Sequence, residues 1–465
     1  MPSDLSNLSL AALSGMIRTR DVTCLAATDA CLDTIKAHNP AINAFVRIDA
    51  DCARQAAEAA DRDIAHGRWR GPLHGVPLAH KDMFYRMGET STCGSLILGE
   101  RRADRTAAVI ERLHAAGSVT VGWLNMAEFA AGPTGQNDHF GACRNPWNPD
   151  YISGGSSSGS AAAVAGGLVP FALGSDTNGS IRVPSSLCGL FGLKPTYGRL
   201  SRARTFPFSA SFDHVGPLAR SARDLAITYD AMQGDDPDDP VCAERNAEAA
   251  TPVLDRGLDG LRVAVASGYF KCRAAEPVYA IDRIAAALGA NRDIEIPEAE
   301  RARSAAYIIT ASEAASLHLG RLRTRAKDFD PATRDRLIAG AMLPASLVTK
   351  AQKFRRWYQR EVLKLFSEVD AILAPATPCP APLIGQQMFK LGDSELPVRA
   401  NLGIYTQPIS FIGLPVVVAP VPLSPLPIGV QIICAPWRED VALRIAHALE
   451  QQGVAAAQRP PVQQR

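Results

Sequence analysis

The chain has 465 residues, of which 47% are hydrophobic and 21% are charged, as expected for a globular protein and not for a disordered or fibrous one. Its 49 Lys and Arg nearly balance its 47 Asp and Glu, and the net charge of +2 provides no general field for nucleic acid or an anionic membrane. We therefore expect a small-molecule or protein partner, and the length allows roughly one to three domains.

The ten cysteines are scattered and form no Cys-x-x-Cys pair, so the sequence predicts no zinc or redox motif and no cofactor. Isolated thiols in a long chain are typical of the reducing cytoplasm, where we expect this protein. Residues 1–20 lack the pattern of a signal peptide. The most apolar stretch, 409–437, is interrupted by prolines such as Pro415, Pro420 and Pro425, so we expect no membrane span.

Apolar periodicity predicts alternating helices and strands along most of the chain. In chain order we expect a helical flank over 1–70, strand 76–78, helix 105–117, strand 119–124, strand 168–173, strand 261–266, helix 277–288, strand 293–296, a helical tract over 298–366, strand 371–374 and a helix near 441–450. Such alternation is typical of an α/β sheet. We predict one structural domain, with residues 1–70 as its flank and 71–465 as its α/β part.

Two loops rich in glycine and serine stand out. The first, 154–160, runs directly into an Ala-rich helix, which is unusual for a flexible linker. A loop that opens a helix presents backbone N–H groups to a concave site and favours negative charge there. The second loop, 174–184, contains Ser180, 24 residues after Ser156. That separation allows the chain to leave a site and return to it, so we predict that both loops line one site.

Lys81 ends the strand that begins at residue 76. A lysine is usually a solvated surface charge. At the end of an apolar strand it is instead expected to be buried, and burial lowers the pKa of a lysine so that its neutral amine becomes available as a base. The sequence therefore adds a candidate base to the two loops.

These segments resemble the amidase signature family. GVPLAHKDMF contains Lys81, GGSSSGSAAAVA contains Ser156 and GSDTNGSIRVP contains Ser180, and the spacings of 75 and 24 residues also match the family. The resemblance extends from near residue 8 to the closing helix. It implies an α/β fold in which helices cover both faces of a mixed, twisted β-sheet.

The resemblance also implies roles for individual residues. Ser180 attacks the amide carbonyl, and Ser156, which follows a cis peptide in this family, passes a proton between Ser180 and neutral Lys81. The family's oxyanion hole corresponds to the backbone N–H groups of Thr177, Asn178, Gly179 and Ser180. Substrate contacts are expected from Met126, Gly155, Asp176 and Arg182. No metal is implied.

Asn178 departs from the family pattern, because many members have glycine at this position. Asparagine tolerates positive φ better than most residues, so the loop is expected to keep its shape. We expect the Asn178 side chain to shape the pocket.

A narrower resemblance links GSDTNGSIRVPSSLCGLFGLKPTYGRLSR and YTQPISFIGLPVVVAPV to the biuret-type branch of the family. It implies hydrolysis of a C–N amide bond in a small ureido substrate similar to 1-carboxybiuret. It also implies a small helical partner protein, and no direct contact with nucleic acid. We expect a homodimer, with the partner near the apolar residues Leu25, Leu32, Ile35 and Phe45 of a flank that lies outside the sheet.

Several alternatives are open from the sequence. Gly155 to Gly159 also fits the Gly-x-Ser-x-Gly elbow of α/β-hydrolases, with Ser157 as nucleophile and a downstream His214, His318 or His447, although 148–151 is predicted as a turn and not as the strand this motif needs. Within the same family, a glutaminase subunit of a tRNA-dependent amidotransferase, a general or aryl amidase and an inactive scaffold are possible. Arg321 and Arg325 share a helix face that is either solvated or binds a carboxylate.

Overall fold

A central sheet of eleven strands organises the computed structural model, which describes residues 5–99, 101–258 and 260–461. The strands are β1 (Phe45–Ile48), β2 (Pro77–Lys81), β3 (Val119–Leu124), β4 (Arg144–Asn145), β5 (Asn148–Ile152), β6 (Phe171–Asp176), β7 (Phe191–Lys194), β8 (His214–Ala219), β9 (Val263–Ser267), β10 (Asp293–Glu295), β11 (Ala371–Pro375), β12 (Met388–Leu391), β13 (Ser394–Pro397), β14 (Val416–Val421) and β15 (Ile428–Cys434). The central sheet has the order β1-β3-β2-β6-β8-β7-β14-β15-β11-β9-β10.

The helices surround this sheet. They are α1 (Leu10–Thr19), α2 (Cys24–Ile42), α3 (Ala50–Ala65), α4 (Ala108–Ala115), α5 (Ser158–Ala165), α6 (Arg182–Cys188), α7 (Ala222–Met232), α8 (Ala275–Leu288), α9 (Ala299–Arg325), α10 (Pro331–Ala341), α11 (Ala345–Leu365), α12 (Val398–Asn401), α13 (Gln407–Ser410) and α14 (Glu439–Gln451). In the part of the chain described, none of them has both the length and the apolar composition to cross a membrane.

The sheet is mixed. β2 runs parallel to β3 and β6, and β9 runs parallel to β10 and β11, whereas the other neighbours are antiparallel. Strands β6, β8, β14 and β15 are buried along their whole length, which requires cover on both faces. The predicted α/β class with helices on both faces is confirmed.

Most predicted elements are present, and two regions of the α/β part differ from the prediction. The helical tract over 298–366 is divided into α9, α10 and α11. A proline marks each break, because α10 begins at Pro331 with Asp330 as its N-cap, and Pro344 directly precedes α11. The predicted turn at 148–151 is wrong, because these residues lie in β5, which pairs with β4 in a separate two-stranded ribbon.

The N-terminal flank is helical in α1, α2 and α3 but also contributes β1, which pairs antiparallel with β3 at the edge of the central sheet. The expectation that this flank lies outside the sheet is therefore wrong. Leu32, Ile35 and Phe45 are buried in the chain's own core, where their burial stabilises the fold. The boundary at residue 70 stays a prediction.

The fold brings the three predicted catalytic segments to one edge of the sheet. β2 and β6 are parallel neighbours, and the carboxyl ends of parallel strands meet at the same edge. β2 ends at Lys81 and β6 ends at Asp176, directly before the loop that contains Ser180. Helix α5 begins at Ser158, so its preceding loop carries Ser156 to the same place.

Candidate active site

Lys81 is fully buried, and its Nζ lies within hydrogen-bond distance of three serine hydroxyls. The Nζ is 2.7 Å from the Oγ of Ser156, 2.8 Å from that of Ser175 and 3.2 Å from that of Ser157. Burial lowers the pKa of Lys81 to about 7, against the opposing effect of the Asp213 and Asp176 carboxylates. A lysine with this pKa holds a large fraction of neutral amine near pH 7, which a proton acceptor requires.

Ser156 occupies the centre of the first loop, and the Gly155–Ser156 peptide is cis. Ser156 is fully buried, and its carbonyl accepts a hydrogen bond from the N–H of Ala127. The N–H of Ser157 donates to the carbonyl of Ser180 at 3.3 Å, which joins the two glycine- and serine-rich loops. The structure therefore brings the loops predicted from sequence together around Lys81.

An ion pair between Asp176 and Arg182 holds the loop that contains Ser180. Both side chains are fully buried, and the guanidinium reaches both carboxylate oxygens, with Nε 2.9 Å from Oδ2 and Nη2 3.0 Å from Oδ1. Burial opposes ionisation of Asp176, but the charge and hydrogen bonds of Arg182 outweigh it and hold the pKa of the carboxyl below its usual range. Arg182 also donates to Gln431, Ser410 and the carbonyl of Thr406.

Two further contacts fix the start of this loop. The hydroxyl of Thr177 donates to the buried carboxylate of Asp213, which also accepts from the N–H of Phe208. The ring of His214 lies with Nδ1 3.1 Å from the carbonyl oxygen of Asp176. The loop is therefore held from both sides, as a preorganised anion site requires.

The four predicted oxyanion donors differ in whether their N–H groups already have a hydrogen-bond acceptor in the protein. The N–H of Gly179 donates to Oδ1 of Asp176 at 2.7 Å and is thereby removed from the set of free donors. Within the described residues, the backbone N–H groups of Thr177, Asn178 and Ser180 have no acceptor. These three remain the candidate oxyanion hole.

A pocket opens beside these groups, and only one of the four predicted substrate-binding residues lines it. Gly155 lines it, together with Ser180. Met126, Asp176 and Arg182 are buried and do not line it, and the polar atoms of Asp176 and Arg182 are engaged within the protein. These two hold the loop in place, which differs from the predicted contact with substrate.

Asn178 also lines the pocket, but with ordinary backbone geometry. The residue of positive φ in the loop is Gly179, at 129°, so the tolerance of asparagine for positive φ is not used. The Nδ2 of Asn178 donates to Thr310, and its Oδ1 is buried without a partner in the described residues. The Asn178 side chain is therefore anchored to α9 beside the pocket.

Sequence reasoning missed two arginines on the pocket wall, Arg336 of α10 and Arg399 of α12. Each lies far along the chain from the glycine- and serine-rich loops and in no motif, so only the fold reveals its position. Arg321, which the sequence suggested for a carboxylate, is not among the residues described as lining this pocket.

The α/β-hydrolase alternative does not fit this geometry. The Oγ of Ser157 donates to the carbonyl of Ser175, accepts from the N–H of that residue and lies near Lys81. The downstream histidines have other contacts: His214 lies near Lys194, His318 packs on Phe129, and His447 pairs with Asp255. Ser157 therefore has no histidine base among the described residues.

Comparisons with known proteins find related sequences that match nearly the whole chain. A family model described as Amidase matches residues 26–443. The chain is 47% identical over 449 residues to AtzE, a component of the 1-carboxybiuret hydrolase of Pseudomonas sp. strain ADP, covering 95% of this chain and 97% of that protein. It is 38% identical over 479 residues to one component of the glutamyl-tRNA(Gln) amidotransferase of Azotobacter vinelandii, covering 96% and 98%.

One solved structure is described as a vestigial protein complex that reveals the evolutionary origins of an s-triazine catabolic enzyme. It superposes with a TM-score of 0.96 at 45% identity, covering 97% of this chain and 100% of that one. The fold and the arrangement of the strands around Lys81 are thus shared with a protein of closely similar sequence.

Proposed function

Because this chain belongs to the amidase signature family and hydrolyses C–N amide bonds, we propose that its substrate is a small ureido amide of the 1-carboxybiuret type. The observation that carries the reaction is the buried Lys81 amine in contact with the hydroxyl of Ser156. The identity of 47% to a component of a 1-carboxybiuret hydrolase supports the substrate.

The reaction begins when the Ser180 hydroxyl attacks the amide carbonyl. Its proton passes to the oxygen of Ser156 as the proton of that serine moves to the neutral amine of Lys81. The carbonyl oxygen becomes an oxyanion, and the free N–H groups of Thr177, Asn178 and Ser180 stabilise it by hydrogen bonds. The Asp176–Arg182 ion pair keeps these donors in place.

The tetrahedral intermediate then collapses to an acyl-enzyme. The C–N bond breaks, and the leaving amine takes the proton that the Lys81 ammonium returns through Ser156. Water next attacks the acyl group on Ser180, and the same relay removes the proton of that water and finally returns one to the Ser180 oxygen. The enzyme recovers its starting protonation state, so the protons balance over the cycle.

Release of the amine from 1-carboxybiuret, biuret, allophanate, glutamine and an aryl amide tests the substrate class. We expect the highest kcat/KM for 1-carboxybiuret. A kcat/KM for glutamine or the aryl amide that equals or exceeds it contradicts the proposal. The purified Ser180→Ala protein, assayed in parallel, controls for contaminating amidases.

A glutaminase subunit of a tRNA-dependent amidotransferase is the second candidate, supported by the relative of 38% identity. Both candidates use the same serine and lysine residues. Glutaminase activity that increases in the presence of a tRNA-bound partner would favour this candidate over the first.

We further propose that the chain forms a homodimer and associates with a small helical subunit. The solved structure of TM-score 0.96 is described as a protein complex, which supports an assembly. The flank residues Leu32, Ile35 and Phe45 lend no support, because they are buried within the chain. Light scattering of the chain alone, and of the chain co-expressed with a candidate small protein, tests this. A fully active monomer that does not bind the candidate small protein would contradict the proposed assembly.

A further inference from the structure

Arg336 and Arg399 place two positive charges on the wall of the pocket that also contains Ser180. Within the described residues, neither guanidinium forms an ion pair. The buried Arg182 beside the loop that contains Ser180 is instead paired with the carboxylate of Asp176.

Arg336 is enclosed by aromatic rings and not by carboxylates. Its guanidinium carbon lies 5.1 Å from the centre of the Phe208 ring and 5.2 Å from that of Tyr307. Its Nε is buried without a hydrogen-bond partner. Burial lowers the pKa of this guanidinium, and the positive charge of Arg399 lowers it further. Arginine nevertheless keeps its proton in proteins, so an unmatched charge faces the pocket.

Arg399 lies close to the catalytic serines. Its Nη2 donates to the carbonyl of Ala131 at 2.9 Å, and a Cβ on Gly132 would lie 3.2 Å from its guanidinium carbon. A Cβ on Gly155 would in turn lie 2.7 Å from the carbonyl oxygen of Gly132. One glycine therefore separates the guanidinium from the residue that precedes Ser156.

Three carboxylates act on the charge of Arg399, those of Asp330, Asp138 and Glu128, and the first and last of these are engaged elsewhere. Asp330 caps α10 by accepting from the N–H of Ala332 at 2.9 Å. Glu128 accepts from Ser95, from the N–H of Asp330 and from His139. Asp138 is exposed, and none of the three carboxylates lies within ion-pair distance of Arg399 among the described residues. Neither arginine of the pocket wall therefore has a directly paired counter-charge, and a bound anion would supply one.

We propose that Arg336 and Arg399 together bind the carboxylate of the substrate and thereby select amides that carry one. Planar guanidinium groups match the geometry of a carboxylate, and they bind it by paired, charge-assisted hydrogen bonds. This inference rests on the proposed function, since it assigns residues to one group of the same substrate. It also predicts that amides without a carboxylate are poor substrates.

Two pairs of compounds that differ by one carboxylate test the proposal: 1-carboxybiuret against biuret, and succinamate against succinamide. We expect Arg336→Met and Arg399→Met each to lower kcat/KM for the carboxylated compound by about 10- to 100-fold, mainly through KM, and for the neutral compound by less than about threefold. Methionine keeps an apolar stem against Phe208. Arg334→Met is the matched control, because Arg334 lies on the same helix but pairs with Asp335.

Binding to the Ser180→Ala protein provides a second measurement that does not depend on turnover. We expect succinamate to bind more tightly than succinamide, and the difference to disappear when Arg336→Met is added. A purely structural role would lower Tm and leave the preference for the carboxylate unchanged, and that result overturns the proposal. Conversely, loss of the preference in an enzyme that does not hydrolyse 1-carboxybiuret would uphold this inference and contradict the proposed substrate.

Discussion

The Nζ of Lys81 lies 2.7 Å from the Oγ of Ser156, and both side chains are fully buried. As an ammonium, Lys81 donates to three hydroxyls, those of Ser156, Ser157 and Ser175, and all three of its N–H bonds are used. As a neutral amine it can accept the proton of Ser156. The same contacts therefore serve both protonation states that a proton relay needs.

The rate of the chemical step should depend on pH through Lys81. Its pKa is lowered to about 7 by burial, so the neutral amine is the minor form below pH 7 and the major form above it. We expect kcat/KM to rise about tenfold per pH unit below pH 7 and to become constant above about pH 8. A profile that is flat from pH 6 to pH 8 contradicts a lysine base. Buffers of different pKa at equal ionic strength serve as the control.

Lys81→Arg tests whether the residue acts as a base or only as a positive charge. Guanidinium does not deprotonate in a protein, so this variant keeps the charge and loses the base. We expect kcat to fall by at least about 100-fold at pH 8. Lys364→Arg is the matched control, because Lys364 is exposed on α11, and we expect it to have wild-type activity. Substantial activity of Lys81→Arg would show that the charge alone suffices.

Asp176→Asn should affect stability and catalysis together. The substitution leaves the buried Arg182 guanidinium without its counter-charge and weakens the bonds that hold the loop before Ser180. We expect a loss of about 3–5 kcal/mol in the free energy of unfolding, measured with urea, and a lower kcat at temperatures where the variant is folded. The surface pair of exposed Lys364 and half-buried Glu361 gives the comparison, and Glu361→Gln should cost less than about 1 kcal/mol. An equal effect of the two substitutions contradicts the assigned role.

Much of the site was predictable because each of its segments has a recognisable local pattern. Ser156 and Ser180 lie in glycine- and serine-rich loops next to predicted helices, and Lys81 ends a predicted strand. The structure adds the strand order, in which the parallel neighbours β2 and β6 end at one edge. Local pattern thus identified the two loops and the candidate base, and the family resemblance assigned the roles of Ser156 and Ser180 in the relay.

The remaining features depend on tertiary contacts that no local pattern encodes. Arg336 and Arg399 reach the pocket from α10 and α12, and only packing defines their common environment. The bond from Gly179 to Asp176 also depends on the conformation of the loop, which made four donors appear equivalent in the sequence. The strand β5 was missed because Asn148, Pro149 and Asp150 are typical of turns, whereas pairing with β4 overrides that preference.

The central claim is that Ser180 is the nucleophile that carries the acyl group, and covalent labelling tests it most directly. A serine-directed acylating inhibitor is added to the wild-type protein and to Ser180→Ala, and peptide mass spectrometry locates the adduct. We predict modification of Ser180 alone, no adduct on Ser156 or Ser157, and loss of both labelling and amide turnover in Ser180→Ala, with an unchanged far-UV circular dichroism spectrum. An adduct on Ser157, or turnover by Ser180→Ala within tenfold of the wild type, would contradict the account.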